Sequence, residues 1–432
     1  MIDFISNTYC KIFPLWLRRF IFNIRRQKLS RFLFLPLFPL VIFFSSFNRL
    51  RRSCVRKIIV FNLGGIGDNL LSTPALKALS KKFPNADITV IVTKKEATYV
   101  YINNPIVKKT LYLEYFFAWS IAKLFVKKYF LFFDLLRVFI YYPFLTIKIL
   151  LENYDLGINF YISEEEGGTN FCNLFLYLCG IPKRVGSYGF YRKLLTHKKD
   201  LEIIREKHWI DIYIEIIKTL GMIKEVDKNL EFFISNNDKK FAENFLNINN
   251  ISKEDLLIGI SPGGDIYLNS KRWPFERFAK TINKLYLKYN FKVILFGTEN
   301  EKELIYKLNN LLVKKPILAV GLGLNKVGSL LNFIKIFLTN DNGLLHLSNA
   351  LKVPYIISIF GPTNPKRIVL QDPRNICISA KTKCAPCIEL STGDESKKCK
   401  NYIKEECLLS ISVDEVYKEL EKIMYKIFYK NN

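Results

Sequence analysis

The stretch LTNDNGLLHLSNALKVPYIISIFGPTNP, residues 338–365, decides the fold. It opens at the end of an apolar run, Ile334 to Leu338, with the composition of a buried parallel strand. A polar, Gly-containing turn follows, Thr339-Asn340-Asp341-Asn342-Gly343. The next segment carries Leu344, Leu345, Leu347 and Leu351, with His346 among them, at helical spacing. A second apolar run, Tyr355 to Phe360, ends in Gly361-Pro362-Thr363. The pattern is strand, tight turn, helix, strand and Gly loop. Ligands of open α/β sheets bind at the strand ends where the polar residues of this unit fall. A helix starting at such a turn offers N–H groups and a positive dipole end to an anion.

The same alternation recurs on both sides. Lys57 to Leu63 reads as a buried strand, Gly64-Gly65-Ile66-Gly67-Asp68 as a tight loop, and Asn69 to Phe83 as a helix. Asp87 to Thr93 and Tyr154 to Tyr161 are further strands, Thr169 to Gly180 and His208 to Gly221 further helices. A linker is expected from there towards residue 250. A second series starts with the strand at Leu256 and the loop Ser261-Pro262-Gly263-Gly264. It continues through a helix opened by Trp273-Pro274, a strand from Phe291 to Phe296, and an amphipathic helix from Val413 to Tyr429. Two such series predict an α/β protein of two Rossmann-like domains facing a cleft. The expected segments are an extension (1–56), a first domain (57–245) and a second domain (246–432).

The net charge of +26 favours an anionic partner, and half the residues are hydrophobic, which excludes global disorder. Residues 1–57 hold twelve Lys/Arg against one acid, and Phe32 to Asn48 is an uncharged aromatic run interrupted by Pro36 and Pro39. That run is short for a membrane span and suits an interfacial anchor. Residues 116–151 are basic and aromatic, which fits a membrane surface or a helix packed on its own sheet with snorkelling lysines. No secretory signal is evident, and nine cysteines, an odd number with five of them scattered, do not look like a secreted disulfide framework. The expectation is a cytoplasmic protein, peripheral on the inner face of the cytoplasmic membrane.

Gly64 to Asp68 lacks the third glycine of the dinucleotide fingerprint, and Asp68 in the loop would repel a pyrophosphate. A carboxylate there suits a general base or hydroxyl ligand, with Gly64, Gly65 and Gly67 admitting a substrate closely. The alternative, which the motif alone favours, is a helix N-cap. Lys271-Arg272-Trp273-Pro274 after the Ser261-Gly263-Gly264 loop offers charge to a phosphate, or is a solvated loop before a helix. His346 is an acid or base, or a histidine satisfied within its helix; a structural or ligand-orienting role is preferred. Cys384, Cys387, Cys399 and Cys407 allow a structural zinc. The wide spacing of the second pair leaves disulfides or free thiols as the competing reading.

Taken in order, FNLGGIGDNLLSTPALKAL, RVGSYGF, HWIDIY, ISPGGDIYLNSKRWP, LFGTENE, TNDNGLLHLSNAL, FGPTNP and the terminal CAPC resemble glycosyltransferase family 9, the ADP-heptose:lipopolysaccharide heptosyltransferases. The resemblance covers about residues 57–425. It implies a GT-B fold, an acceptor-binding first domain, a nucleotide-sugar-binding second domain, and inverting transfer without a catalytic metal or cofactor. It makes Asp68 the general base and Lys271 the group that stabilises the leaving diphosphate. Ser261, Gly263, Gly264, Asp341, Asn342, Gly343 and the His346 helix would serve the donor, and Glu299 the donor nucleoside, with Glu301 close by. Position 342 is Asn where the family more often has Ser or Thr. The two basic apolar segments fit a lipid-linked saccharide acceptor such as the lipopolysaccharide core.

Two other classes are weighed against this. A nicotinamide-dependent oxidoreductase is opposed by the broken fingerprint. A nucleic-acid-binding protein is opposed by basic residues that lie among Phe and Leu.

Overall fold

The computed structural model describes residues 54–113, 144–162, 167–187, 190–200, 206–223, 225–264, 271–388, 399 and 403–429. The extension 1–56 lies outside these residues except at 54–56, and the 116–151 segment except at 144–151. Among the described residues no helix is long and apolar enough to cross a membrane.

Two parallel six-stranded sheets carry the fold. The first has the order β3-β2-β1-β4-β5-β6, from β1 (Lys57–Phe61), β2 (Asp87–Val92), β3 (Val107–Tyr112), β4 (Leu156–Asn159), β5 (Lys183–Gly186) and β6 (His197–Lys198). The second has the order β12-β11-β10-β7-β8-β9, from β7 (Leu257–Ser261), β8 (Lys292–Gly297), β9 (Ile317–Val320), β10 (Ile336–Asn340), β11 (Tyr355–Phe360) and β12 (Asn375–Ser379). The expected α/β class with two Rossmann-like sheets is borne out. By internal packing the chain divides into two compact units, Met1–Ile59 with Tyr115–Lys198, and Val60–Glu114 with Lys199–Asn432.

The second sheet shows why residues 338–365 organise the chain. β10 lies between β7 and β11 and is parallel to both, with Leu338 opposite Ile260 and Ile357. All five residues of β10 are buried. Gly259 of β7 admits the rings of Phe337 and Phe296, where a Cβ would come within 2.9 Å of the Phe337 ring. Apolar faces then cover the sheet. The helix Phe275–Tyr286 buries Phe278, Ala279, Ile282 and Leu285 against a core that includes Val416, Leu420, Ile423 and Met424 of the helix Val413–Tyr429. Trp273 is buried beside them and donates its indole N–H to the Ile411 carbonyl at 3.0 Å.

Three local expectations need correction. The helix after β1 begins at Ile66, not Asn69, so Asp68 stands inside its first turn. It breaks at Ser72 and resumes as Thr73–Lys82, with Pro74 in the second segment's first turn, where a missing N–H costs nothing. Residues 236–248, expected within a linker, form a helix whose N-cap Ser235 accepts from the Asp238 N–H at 3.2 Å. Its apolar face is narrow, with only Ala242 and Leu246 fully buried, which is why the Asn- and Lys-rich sequence hid it.

The helix Gly343–Ala350 starts because Asn342 caps it. The Asn342 Oδ1 accepts the N–H groups of Leu344 at 2.9 Å and Leu345 at 3.3 Å, while its Nδ2 donates to Ser261 Oγ at 3.1 Å and the Gly263 carbonyl at 3.2 Å. Replacing such a cap by Ala costs about 1–2 kcal/mol. Asn342→Ala is therefore expected to lower unfolding stability by about that amount in urea titration. Asn342→Ser, which restores the cap but not the tie to Ser261, should recover part of it.

Candidate active site

The residues picked out along the second sheet converge at the carboxyl ends of β7 and β10. Lys271 Nζ stands 2.8 Å from Asp341 Oδ2, with both side chains largely buried. Thr363, from the loop after β11, donates its hydroxyl to the same oxygen at 2.7 Å. Burial pushes the Asp341 carboxyl up, but the Lys271 ammonium and the Thr363 hydroxyl outweigh it, and the group is held below the usual carboxylate range. Asp341 is thus an anion committed to Lys271. Asn340, one residue earlier, donates to the carbonyls of Pro262 at 2.7 Å and Gly263 at 3.1 Å and accepts the Trp273 N–H at 3.2 Å. One strand end therefore holds both the Ser-Pro-Gly-Gly loop and the start of the helix after Trp273.

Some donors that a Gly loop and a helix start normally leave open are taken here. The Gly264 N–H donates to Glu301 Oε1 at 3.0 Å, and the N–H groups of Leu344 and Leu345 are spent on Asn342. Positive charge fixed beside them is what the site offers an anion. Lys271 is one source. Arg272 is the other, its guanidinium 3.2 Å from the Gly264 carbonyl and 3.7 Å from Glu301 Oε1.

Glu299 and Glu301 separate clearly. Glu301 is buried, accepts from the Thr298 N–H and hydroxyl at 2.9 Å each, and occupies the space a Cβ on Gly263 would need. Glu299 is exposed and pairs with Lys302 at 2.9 Å. Glu301 is a structural brace of the glycine loop, and Glu299 remains open to a ligand on its solvent side.

The loop after β1 belongs to the same compact unit and packs on the helix Gly343–Ala350. A Cβ on Gly67 would lie 2.6 Å from the His346 ring, and one on Gly343 would lie 3.0 Å from Ile66 Cβ. His346 is buried, and desolvation lowers its pKa to about 4 despite the nearby Asp341 carboxylate. It is neutral at physiological pH and forms a wall against Gly67.

Asp68 is the third residue of the helix Ile66–Leu71. Its Oδ2 accepts the Gly65 N–H at 2.7 Å, and a Cβ on Gly64 would collide with the carboxylate. The N-cap position belongs to Gly65, so Asp68 is not the N-cap residue. Behind it lies a buried polar network. Asn69 Nδ2 donates to the carbonyls of Gly65 at 2.7 Å and Gly64 at 3.1 Å. Tyr101 donates to Asn69 Oδ1 at 2.8 Å, and Asn62 donates to Ser72 Oγ at 2.8 Å.

Asp68 keeps some surface exposure, yet protein atoms crowd its carboxyl, and desolvation is the largest influence on it. That effect and Asp341 push its pKa up. The Gly65 N–H, Lys94 and Lys271 pull it down without cancelling the rise. Lys94 is exposed and stands 3.8 Å from where a Gly65 Cβ would be. Its sequence signal, one Lys at the end of β2, is too slight to find. His208 of the HWIDIY segment is a cap, its Nδ1 accepting the Ile210 N–H at 3.2 Å and its Nε2 3.0 Å from the Val369 carbonyl.

Of the four C-terminal cysteines, Cys384 and Cys387 are exposed, Cys399 is half-buried and Cys407 is buried. Burial pushes the Cys407 thiol up to about 11 and raises Cys387 as well. Among the described residues no group of three or more His, Cys, Asp or Glu is placed to hold a metal ion. The described structure therefore does not assemble Cys384, Cys387, Cys399 and Cys407 as zinc ligands.

The Asp68 environment has a consequence for stability. A carboxyl with a raised native pKa favours the folded state while protonated. That advantage is present below the unfolded pKa and is lost as pH rises through the folded one. Asn keeps the acceptor for the Gly65 N–H but has no proton to lose. Asp68→Asn is expected to unfold at a higher temperature than the parent at pH 7, with the gap narrowing towards pH 4, as scanning calorimetry would show.

A profile of the family described as glycosyltransferase family 9 (heptosyltransferase) matches residues 167–398. The chain is 26% identical over 203 residues to lipopolysaccharide heptosyltransferase 2 of Escherichia coli K12, covering 44% of this chain and 56% of that protein. It is 24% identical over 208 residues to lipooligosaccharide heptosyltransferase 2 of Campylobacter jejuni, covering 47% and 62%. The chain thus spans little more than half the length of these curated relatives. Among solved structures, the glycosyl transferase family 9 protein of Veillonella parvula aligns with a TM-score of 0.66 at 24% identity, covering 86% of this chain and 98% of that one. The E. coli ADP-heptose lps heptosyltransferase II aligns at 0.63 with 20% identity, covering 86% and 99%. E. coli heptosyltransferase WaaC, solved with ADP, aligns at 0.59 with 16% identity, covering 85% and 99%. By the profile match across more than half its length, the chain belongs to glycosyltransferase family 9.

Proposed function

We propose that this protein is an inverting glycosyltransferase that moves a heptose or related sugar from a nucleotide-sugar, ADP-heptose, to a lipid-linked saccharide such as the lipopolysaccharide core. The observation that carries the reading is one arrangement: a desolvated carboxyl at Asp68 and a cation at Lys271 held by a buried anion, in the same compact unit. The family supports sugar transfer, and the relative solved with ADP supports that nucleotide.

In this reading the acceptor hydroxyl attacks the anomeric carbon of the donor from the face opposite the diphosphate. Asp68 takes the hydroxyl proton as the new C–O bond forms. The bond from the anomeric carbon to the diphosphate breaks, and the electron pair leaves on the diphosphate oxygen. Lys271 and Arg272 meet that charge where it develops, in a site already organised before the reaction. Attack opposite the leaving group inverts the anomeric centre. In this reading no metal takes part, and Lys271 and Arg272 are the groups that meet the diphosphate.

The raised pKa suits Asp68 to this work, since a more basic carboxylate accepts a proton more readily. Lys94 and Lys271 act against that rise. Lys271 is kept in place by Asp341 and Thr363, and Ser261, Asn342 and Gly343 shape the donor loop. Glu299, exposed after β8, would meet the donor nucleoside. On the acceptor side, only Gly65 leaves room next to the carboxylate; the space above Gly64 and Gly67 is taken by Asp68 itself and by His346.

Asp68→Asn is expected to reduce transfer by at least about a thousandfold, at the upper range for loss of a general base. ADP-heptose affinity, measured by calorimetric titration, should stay within a few-fold of the parent. Transfer at the parental rate in this variant would remove Asp68 as the base. Absence of binding by the parent would remove the donor.

A further inference from the structure

The described end of the 116–151 segment is a helix over residues 144–152 with an unusual outer face. Its inner face buries Leu145, Thr146, Ile149 and Leu150. The outward positions are Phe144, Ile147, Lys148 and Leu151. At 100° per residue they fall within one 100° arc. Phe144 is 64% exposed, Ile147 44% and Leu151 68%, and Lys148 is exposed beside them. A solvated helix face carries polar residues, and single exposed apolar side chains need no explanation. Three in one stripe mark an interaction surface.

The surroundings of this stripe are cationic. Lys57 donates its ammonium to the Glu152 carbonyl at 3.0 Å, so the start of β1 meets the carboxyl end of the helix. Arg56 and Lys57 are exposed there, and their backbone N–H groups are fixed by Asp155 at 2.8 and 2.9 Å. Two acids stand nearby and keep their charge, Asp155 accepting those N–H groups and Glu152 accepting the Tyr154 hydroxyl at 2.6 Å, and Lys148, Arg56 and Lys57 outnumber them. The chain joins this point from residues 1–53, whose sequence holds ten Lys/Arg against one acid. An apolar stripe edged by cations, beside the entry of a basic segment, matches the two signals that give stable attachment to an anionic bilayer.

We propose that Phe144, Ile147 and Leu151 seat in the acyl boundary of an anionic membrane, with Lys148, Arg56 and Lys57 on its head groups. The surface deepens the proposed function, since it rests on a lipid-linked acceptor being met at a membrane. A second copy of the chain is the competing occupant, and it would bring Lys148 and Lys57 towards their own like charges.

The test is co-flotation of the full chain with vesicles of phosphatidylcholine alone and of equal parts phosphatidylcholine and phosphatidylglycerol. The parent is expected on the anionic vesicles and not on the neutral ones. The triple variant Phe144→Ser, Ile147→Ser, Leu151→Ser should lose at least about fivefold in bound fraction, and Lys148→Glu, which leaves the apolar stripe intact, should also fall. A control pair, Leu287→Ser with Met222→Ser, removes exposed apolar residues elsewhere and should bind as the parent. Undiminished binding by the triple variant overturns the proposal. So does equal binding of the parent to both vesicles, or a parent dimer that the triple variant splits. Transfer to a water-soluble, delipidated acceptor reports on the transferase reading separately and should be unchanged in the triple variant.

Discussion

The buried pair of Lys271 and Asp341 is the interaction on which the second sheet's working edge depends. A buried anion without a partner is costly, and breaking such a pair from one side typically costs about 3–5 kcal/mol. The cost makes the geometry obligatory. Asp341 sits at the end of the central strand β10, so Lys271 must come to it, bringing the segment that opens the helix Phe275–Tyr286. Thr363 brings the loop after β11 to the same oxygen. Asn340 and Asn342, on either side of Asp341, bind the Ser-Pro-Gly-Gly loop and start the helix Gly343–Ala350. Three consecutive polar residues thus fix three loops at one point. The arrangement holds a cation in place before any ligand arrives, which is what electrostatic stabilisation of a leaving group requires.

Asp68 shows the opposite balance. Its carboxyl is desolvated but lacks an ion-pair partner as close as the one Asp341 has, so its pKa rises where that of Asp341 falls. Two aspartates of the same compact unit are therefore tuned apart by their neighbours. One stays an anion committed to a lysine, and the other is the better proton acceptor. Separation of this kind is the usual basis for assigning different roles to like groups. His346 adds no third titrating group, because burial keeps it neutral against Gly67.

Much of this was legible from residues alone. The strand Tyr355–Phe360 and the helix Val413–Tyr429 have the bounds that the sequence predicts, because apolar period and flanking turn signals agree there. The glycines at 64, 67 and 263 signal close approach, and at each the approaching group is a protein side chain, Asp68, His346 and Glu301, where the sequence suggested a ligand. Other features were hidden for physical reasons. Glu299 and Glu301 are two residues apart, and only the tertiary position of the glycine loop decides which turns inward. Thr363 and Asn340 looked like ordinary turn residues, since hydrogen bonding across loops leaves no local pattern. The helix from Asn236 to Ile248 has too narrow an apolar face for its period to stand out. The Asp68 helix starts early because Ile66, a poor indicator of a helix start, packs on Gly343, and the Gly65 N–H is held by Asp68.

Lys271 and Asp341 act as one unit, and a double-mutant cycle on unfolding stability tests that most directly. Lys271→Met and Asp341→Asn should each lose stability in urea titration. The double variant should lose less than the two losses added, with a coupling of about 2 kcal/mol or more for a buried, hydrogen-bonded pair. Additive losses would contradict the account, because they would mean that neither side chain depends on the other for its place.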